Sequence, residues 1–586
     1  MKIKNSFDII NCVASRTRSN ILKRKNKLWI SATKTHNYLY NDQLSDWLQL
    51  YGRNQNILYK NNSKSYELNF KNFLMNKGIE FEKEIIKYYK QQFDCIKVAD
   101  FYNVKDVKRT FQMMTKGIPI IYSAPIFNRT NNTYGIIDLL VRSDYINKMY
   151  NQPIISQSLE HYKAPYLPGN YHYRVIDIKY STLNLCSDGK HLINSGRIPC
   201  YKSQLFIYNQ AIGEYQGYIP NETYIMGRRW KYTSKGKQYS NESSNDRLGV
   251  IDFNGKDNTF IEKTYEAIDW YRNVHKNGIN WTLYPPSIPE LYPNMCIDSG
   301  SWNQMKQKIS KNIGEITMIW KCGIKHRKNC HKLGILNWKD NRCNSKTLGF
   351  KQNTNTAKIV DNIINVNRLK STKNNILYHN LKDWPKKSVN ELYVDFETFT
   401  DVCENIDDIP NQKKFNIIFM IGVGYVDENN NWVYKSYICK NKTKNQEKII
   451  LEHFYQDYVK LRRPKVYYWS AEKNFWNKSS HYHNLTTNIK WIDMCELFKQ
   501  HTIAIKGCFG FGLKNIVKSM REHNFINTKL DSECNNGMMA MIKAWNCYNN
   551  IDNPHNCAIM KDIEKYNEFD CKAIYDINHY IRSIDC

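Results

Sequence analysis

The stretch Glu391-Leu-Tyr-Val-Asp-Phe-Glu-Thr-Phe399 most constrains how this chain can fold. Its alternation predicts a β-strand with Leu392, Val394 and Phe396 on one face and Tyr393, Asp395 and Glu397 on the other. Two carboxylates two residues apart on one strand face repel unless a cation lies between them, and their oxygens suit a divalent metal. A solvated acidic edge strand is the ordinary reading of a bare Asp-x-Glu. Here the flanks are hydrophobic and a second apolar run, Ile417 to Val426, follows. Those neighbours place the pair beside a core.

At 586 residues the chain exceeds what one hydrophobic core supports, so roughly two to four domains are expected. A hydrophobic content of 41%, with 42 Tyr, 23 Phe and 14 Trp, implies folded domains and argues against disorder. No apolar run approaches the ~18–20 residues of a membrane helix. The N-terminal segment lacks a signal-peptide core, so no membrane association is expected. The 17 cysteines, an odd number without a framework, fit an intracellular, reducing compartment. A formal charge of +30 favours a polyanionic partner, nucleic acid ahead of an anionic membrane surface. Lys, Asn, Ile and Tyr are all abundant, as AT-rich coding produces. Part of the positive charge is therefore expected to be mutational background.

Three blocks are expected: 1–285, with alternating strand and helix patterns; 286–387, a helical connector followed by a polar linker; and 388–586, a second α/β pattern. Within the linker, Asn341 to Lys387 reads as solvated apart from one apolar island, Ile359 to Ile364. Lys231 to Asp246 reads as an exposed loop. The fold class expected is multidomain α/β.

In the first block, Gly78 opens a helical segment in which Glu82, Ile85, Ile86 and Tyr89 share a face. A carboxylate on an apolar face is costly unless it is paired or binds metal. Tyr134-Gly-Ile-Ile-Asp138-Leu-Leu-Val sets one acid in an apolar strand, and Tyr173-Arg-Val-Ile-Asp177-Ile-Lys179 ends another with an acid and a lysine on the same side. In Lys202-Ser-Gln204-Leu-Phe-Ile-Tyr208, Gln204 and Tyr208 stand one helical turn apart. This set suits phosphodiester hydrolysis. Asp138 and Asp177, with Glu82, can hold Mg²⁺ or Mn²⁺. Lys179 can orient or deprotonate water, or neutralise developing charge. Lys202, Gln204 and Tyr208 suit contacts with the substrate backbone.

The order G…E, GxxDLLV, D-x-K and Q-x-x-x-Y resembles the RecB-like branch of the PD-(D/E)XK nucleases, which implies a restriction-endonuclease-like mixed sheet with flanking helices. Upstream, Trp29-Ile-Ser-Ala-Thr-Lys-Thr-His-Asn-Tyr-Leu39 resembles the first Ser-Ala-Ser/Thr segment of RecB-like and CRISPR-associated exonucleases. Many of those carry a cysteine next for an iron–sulfur cluster. This chain has Tyr40-Asn41-Asp42 there, and Cys296, Cys322, Cys330 and Cys343 are widely spaced, so no cluster is expected.

In the last block, Ile417–Val426 and Trp432–Ile438, joined by Asp427-Glu-Asn-Asn-Asn431, predict a hairpin. Near the end, Ile563, Tyr566, Asp570, Ile574 and Ile577 form one helical stripe, with Asp570 in an otherwise apolar face. Asp-x-Glu followed by Tyr-x-x-x-Asp resembles the RNase H-like, DnaQ-type DEDD exonucleases. The resemblance implies metal ligation by Asp395, Glu397 and Asp570 and positioning of the attacking water by Tyr566. The family's middle aspartate is replaced. Glu472, in Val466-Tyr-Tyr-Trp-Ser-Ala-Glu472, and Asp493, in Lys490-Trp-Ile-Asp493-Met, are both candidates. Gly507-Cys-Phe-Gly-Phe-Gly-Leu-Lys514 resembles the family's following Ser-Leu-Lys segment and reads as a turn before a helix. Between the blocks, Glu315–Arg327 and Leu333–Asp340 resemble either a helix-hairpin-helix module gripping phosphates through glycine amides or a packing spacer.

Together the resemblances imply a metal-dependent, exonucleolytic nuclease with two potential active sites, acting on nucleic acid in a role such as DNA repair. DNA is favoured over RNA on family grounds alone. The alternative is a nucleic-acid-binding protein of replication or repair in which one or both nuclease domains are inactive.

Overall fold

The computed structural model describes residues 28–52, 66–241, 243–370, 375–404, 406, 409–411 and 415–584. The chain divides into two compact units, residues 1–59, 74–292 and 405–414 in one and 60–73, 293–404 and 415–586 in the other. Each is α/β with a mixed sheet and flanking helices.

The first unit is built on strands β1 (Ile30–Ser31), β2 (Cys95–Lys97), β3 (Ile120–Asn128), β4 (Thr133–Arg142), β5 (Tyr173–Asn184), β6 (Glu222–Ser234), β7 (Lys237–Asn241) and β8 (Gly249–Asp252). Their order is β2-β3-β4-β5-β6-β7, with β1 on β4 and β8 on β6. Neighbours β3, β4 and β5 run antiparallel, whereas β5 and β6 are parallel. A parallel pair needs a crossover. Of the helices α1 (Tyr66–Lys90), α2 (Val104–Thr115), α3 (Ile198–Gln216) and α4 (Thr259–Asn277), α3 supplies it. Pro199 opens α3, and Gly217, at φ +73°, ends it in the left-handed conformation that a side chain would strain. Leu205, Phe206, Ile207, Ala211 and Ile212 of α3 are buried in the sheet's core.

Three expectations shift in this unit. Gly78 does not open a helix but lies inside α1. Lys179 does not end its strand; β5 continues to Asn184 after a register irregularity between Lys179 and Thr182. The polar Lys231–Asp246 stretch is largely a hairpin, β6 pairing with an exposed β7 around the Lys235-Gly236 turn. Backbone pairing needs no apolar side chain, so polarity alone did not exclude a strand.

The second unit contains strands β9 (Ile376–Leu377), β10 (Glu391–Phe399), β11 (Ile417–Val426), β12 (Trp432–Ile438), β13 (Lys465–Tyr468), β14 (Lys490–Asp493) and β15 (Ala504–Ile505). Its main sheet has the order β12-β11-β10-β13-β14, and β9 pairs separately with β15. The predicted hairpin is present as β11–β12, and β10 is central, antiparallel to β11 and parallel to β13. Helices α5 (Asn303–Ile313), α6 (Ile324–Lys332), α7 (Asn355–Arg368), α8 (Lys444–Lys460), α9 (Glu472–Tyr482), α10 (Met494–Gln500), α11 (Leu513–Glu522), α12 (Gly537–Asn550) and α13 (Ala558–Ser583) complete it.

The tract expected to be a solvated connector packs into this unit. Thr354 caps α7 by accepting from the Ala357 amide at 3.2 Å. Ile359, Val360, Ile363 and Ile364 then share one core with Ile316, Phe498 and Ile574. The apolar island is short in sequence but falls on one helical face, which is enough to bury it. Between Glu315 and Asp340 the structure has a 3-10 turn (Ile316–Met318) and α6 after Gly323, while residues 333–340 are not helical. Two helices around a glycine turn are therefore not formed there.

One partly buried ion pair ties the final helix to the sheet. Arg582 donates from both terminal nitrogens to the two carboxylate oxygens of Glu391 at 2.8 Å, and again to the Tyr467 hydroxyl at 2.9 Å. Burial opposes ionisation of Glu391, but Arg582 and the Ser388 amide hold its carboxyl below the usual range. Arg582→Met leaves that charge partly buried without its partner, so the unit's unfolding free energy should fall by about 1–2 kcal/mol at pH 7. A depressed folded pKa stabilises above the unfolded value and is lost as pH falls through the folded one. The gap between variant and wild type should therefore shrink below about pH 4. Urea titrations at pH 7 and at acid pH check both statements.

Candidate active sites

In the first unit, β4 and β5 bring Asp138 and Asp177 side by side. Asp138 accepts from the Ile178 amide at 2.8 Å. The Lys179 ammonium lies 2.6 Å from Asp177 Oδ2 and 3.6 Å from Asp138 Oδ2. Burial works against that ammonium, but Asp177 and Asp138 outweigh it and hold Lys179 charged. Glu82 joins them electrostatically from α1: burial, and then the Asp138 charge, push its carboxyl up to about 7.

Helix α3 completes the arrangement. Gln204 donates from Nε2 to Asp177 Oδ1 at 3.4 Å and to the Tyr208 hydroxyl at 3.1 Å, while its Oε1 pairs with His36 Nε2 at 2.9 Å. Tyr208 sits over Gly135, where an added Cβ would meet its ring at 2.5 Å. That close approach is why the strand carries glycine before Asp138. Gln204 and Tyr208 are both buried; Gln204 holds Asp177 and Tyr208 accepts from Gln204. Lys202 departs from its expected role in substrate contact. It is 1% exposed, paired with Asp257 at 2.5 Å and bonded to the Leu192 carbonyl.

In the second unit, Asp395 and Glu397 lie on central β10. Strand β13 ends at Tyr468, and the chain turns through Ser470, at φ +75°, into α9, whose first residue is Glu472. Helix α13 crosses β10 and brings Tyr566, Asn567 and Asp570 to the same place. Ile563, Tyr566, Asp570, Ile574 and Ile577 are all buried, as the helical stripe predicts. Burial raises the Asp395 carboxyl well above its ordinary range, with Asp570, Glu397 and Glu472 adding to it. Glu397 and Glu472 are each pushed up to about 8, first by burial.

The two candidates for the middle acid separate here. Glu472, 5% exposed, interacts with Asp395 and Asp570. Asp493 caps α10, its Oδ1 accepting from the Glu496 and Ser470 amides at 3.1 and 3.2 Å, and it adjoins Glu472.

Two further residues complete the cluster without having been singled out as site residues. Asn567 donates from Nδ2 to Asp395 Oδ2 at 2.8 Å and lies 3.5 Å from Glu397 Oε1; its Oδ1 accepts from the Tyr434 hydroxyl. It reaches β10 past Gly422 of β11, where a Cβ would stand 1.5 Å from Asn567 Oδ1. The sequence signal was its position three residues before Asp570, on the same helical face. Lys514, at the start of α11, donates to the Tyr566 hydroxyl, lies 3.8 Å from the centre of its ring, and stands 3.7 Å from Asp570 Oδ2. Burial and the neighbouring carboxylates raise Tyr566, so it stays a neutral phenol.

Among the described residues, no three His, Cys, Asp or Glu side chains form a closed metal-holding group. The donor chemistry of the second unit nevertheless fits a hard cation. Glu397, Glu472 and Asp570 are buried, partly buried Asp395 lies with them, and Asp570 Oδ1 has no hydrogen-bond partner. A carboxyl whose folded pKa is raised stabilises below its unfolded value and loses that contribution as pH rises through the folded one. Glu397 faces Asp395, Asp570, Asn567 and Lys514, and Glu472 faces Asp493 and Asp570. In EDTA, thermal melting of this unit should therefore fall between about pH 4 and pH 8. Asp570→Asn should flatten the slope, and Mn²⁺ should restore more stability at pH 8 than at pH 5. Melting curves across that range measure all three.

No curated protein matches the chain. Residues 392–582 match a family model described as RNase_H_2, of the RNase_H superfamily. The match begins on the Asp395 strand and ends within α13, enclosing all the residues of the second cluster. The C-terminal part of the chain carries an RNase H-like domain.

Proposed function

We propose that this protein is a divalent-metal-dependent nuclease that hydrolyses phosphodiester bonds of nucleic acid, with the RNase H-like domain as an exonucleolytic site. The observation that carries this reading is the grouping of partly buried Asp395 with buried Glu397, Glu472 and Asp570 beside Tyr566, inside the family match. These four carboxylates would hold Mg²⁺ or Mn²⁺. The bound cation would acidify the attacking water and offset charge building on the phosphate.

The chain's own groups then have distinct tasks. Tyr566 accepts from Lys514 and lies beside Asp570, so the neutral phenol is held in place to position water. Asn567 fixes the Asp395 carboxylate and leaves its other oxygen for ligation. Lys514, Lys518, Arg521 and Lys529 line a groove of about 580 Å³ beside Phe569. Positive groups along such a groove suit a phosphate backbone.

The first unit supports a second, RecB-like nuclease site. Glu82, Asp138 and Asp177 are its metal ligands in this reading, and Lys179 is the group that orients water or neutralises charge. DNA is the preferred substrate on the strength of the resemblance alone.

End-labelled single- and double-stranded DNA and RNA, incubated with Mg²⁺, Mn²⁺ or EDTA, test the reading. Asp395→Asn and Asp570→Asn should each slow end-directed cleavage by about 10²–10³-fold, and Tyr566→Phe by about 10²-fold. Asp177→Asn removes any cutting that survives Asp395→Asn if both sites work. If Asp177→Asn alone abolishes all cleavage, the RNase H-like domain only binds. Binding with no metal-dependent cleavage of any substrate overturns the enzyme assignment.

A further inference from the structure

Cys547 lies on the buried face of α12, and Cys557 caps the N-terminus of α13, its sulfur accepting from the Met560 amide at 3.4 Å. Their two sulfurs are 2.8 Å apart. The chain between them turns through the 3-10 segment Pro554–Asn556, and Cys547 also donates to the Pro554 carbonyl at 3.5 Å. The backbone thus already holds the thiols within reach of a covalent bond. Cys557 is partly exposed and Cys547 is 1% exposed, so a reagent reaches the pair through Cys557. Cys330 and Cys343 also lie near each other, but both are buried.

We propose that Cys547 and Cys557 are a reversible disulfide site, closed by exchange with a low-molecular-weight disulfide, which clamps the start of the helix bearing Tyr566 and Asp570. The Cys557 thiolate attacks one sulfur of the small disulfide and expels its partner as a thiolate, forming a mixed disulfide. Cys547 then loses its proton and attacks the Cys557 sulfur, expelling the second small thiolate. Two protein thiols are oxidised to one disulfide and one small disulfide is reduced to two thiols, so atoms and electrons balance. A dithiol reverses both steps.

The reaction links α12 to the first turn of α13. Closing a short loop restricts the unfolded chain, so the oxidised form melts higher. Full-length protein, reduced and desalted, is exposed to oxidised glutathione, blocked with N-ethylmaleimide in denaturant, and digested without reduction for mass spectrometry. A Cys547–Cys557 cross-linked peptide is expected, lost on adding dithiothreitol, with melting raised by about 2–4 °C. Cys557→Ser retains an oxygen to cap the helix; it and Cys547→Ala should lack both the cross-link and the shift. The proposal is overturned if Cys557 stops at the glutathione mixed disulfide, if both cysteines carry maleimide, or if linkage forms only at Cys330–Cys343.

Discussion

Four carboxyl groups, three of them buried, meet against one five-stranded sheet, and the second unit is arranged around the cost of gathering them there. Asp395, Glu397, Glu472 and Asp570 come from three separate elements, a central strand and two helices. Burial pushes each toward the neutral form, and carboxyl neighbours add to it at Asp395, Glu397 and Glu472, whereas Lys514 and Tyr566 oppose it at Asp570. The fold answers with two devices of its own. Asn567 donates to Asp395, and the Lys514 ammonium stands against Asp570 and Tyr566. Together the two devices offset part of the strain of gathering these carboxyls.

The supports of that cluster are steric and ionic rather than catalytic. Gly422 lets α13 approach β11 closely enough for Asn567 to reach Asp395. Farther along the same helix, Arg582 binds Glu391 at the beginning of β10. Strand and helix are therefore joined at two points along their length. In the first unit the same logic recurs with different parts. Gly135 admits Tyr208, Tyr208 accepts from Gln204, and Gln204 holds Asp177. There Lys179 is internal to the acids, which leaves that cluster closer to charge balance.

Much of this was legible in short patterns. Asp395 and Glu397 share a strand face because a strand has period two, and Tyr566 and Asp570 share a helical stripe because they are four apart. The apolar strands around Asp138 and Asp177 were readable for the same reason. Local patterns misled where they ignored a partner. Lys202 has the sequence context of an exposed helical lysine, but Asp257, 55 residues later, holds it inside. The Lys/Asn/Ser/Thr-rich tract is polar on average, yet α7 turns its few aliphatic residues onto one face and buries them. Average composition does not record direction around a helix.

The sequence by itself determined the α/β class, the two groups of acids and the elements on which most of them ride, since these follow from the fixed periods of strand and helix. Only the tertiary structure decided that Glu472, rather than Asp493, faces Asp395 and Asp570, and that Lys514 and Asn567 belong beside them. Those relations join residues up to 172 positions apart. A nearest-neighbour pattern carries no record of such distances; sheet order and the path of α13 across it do.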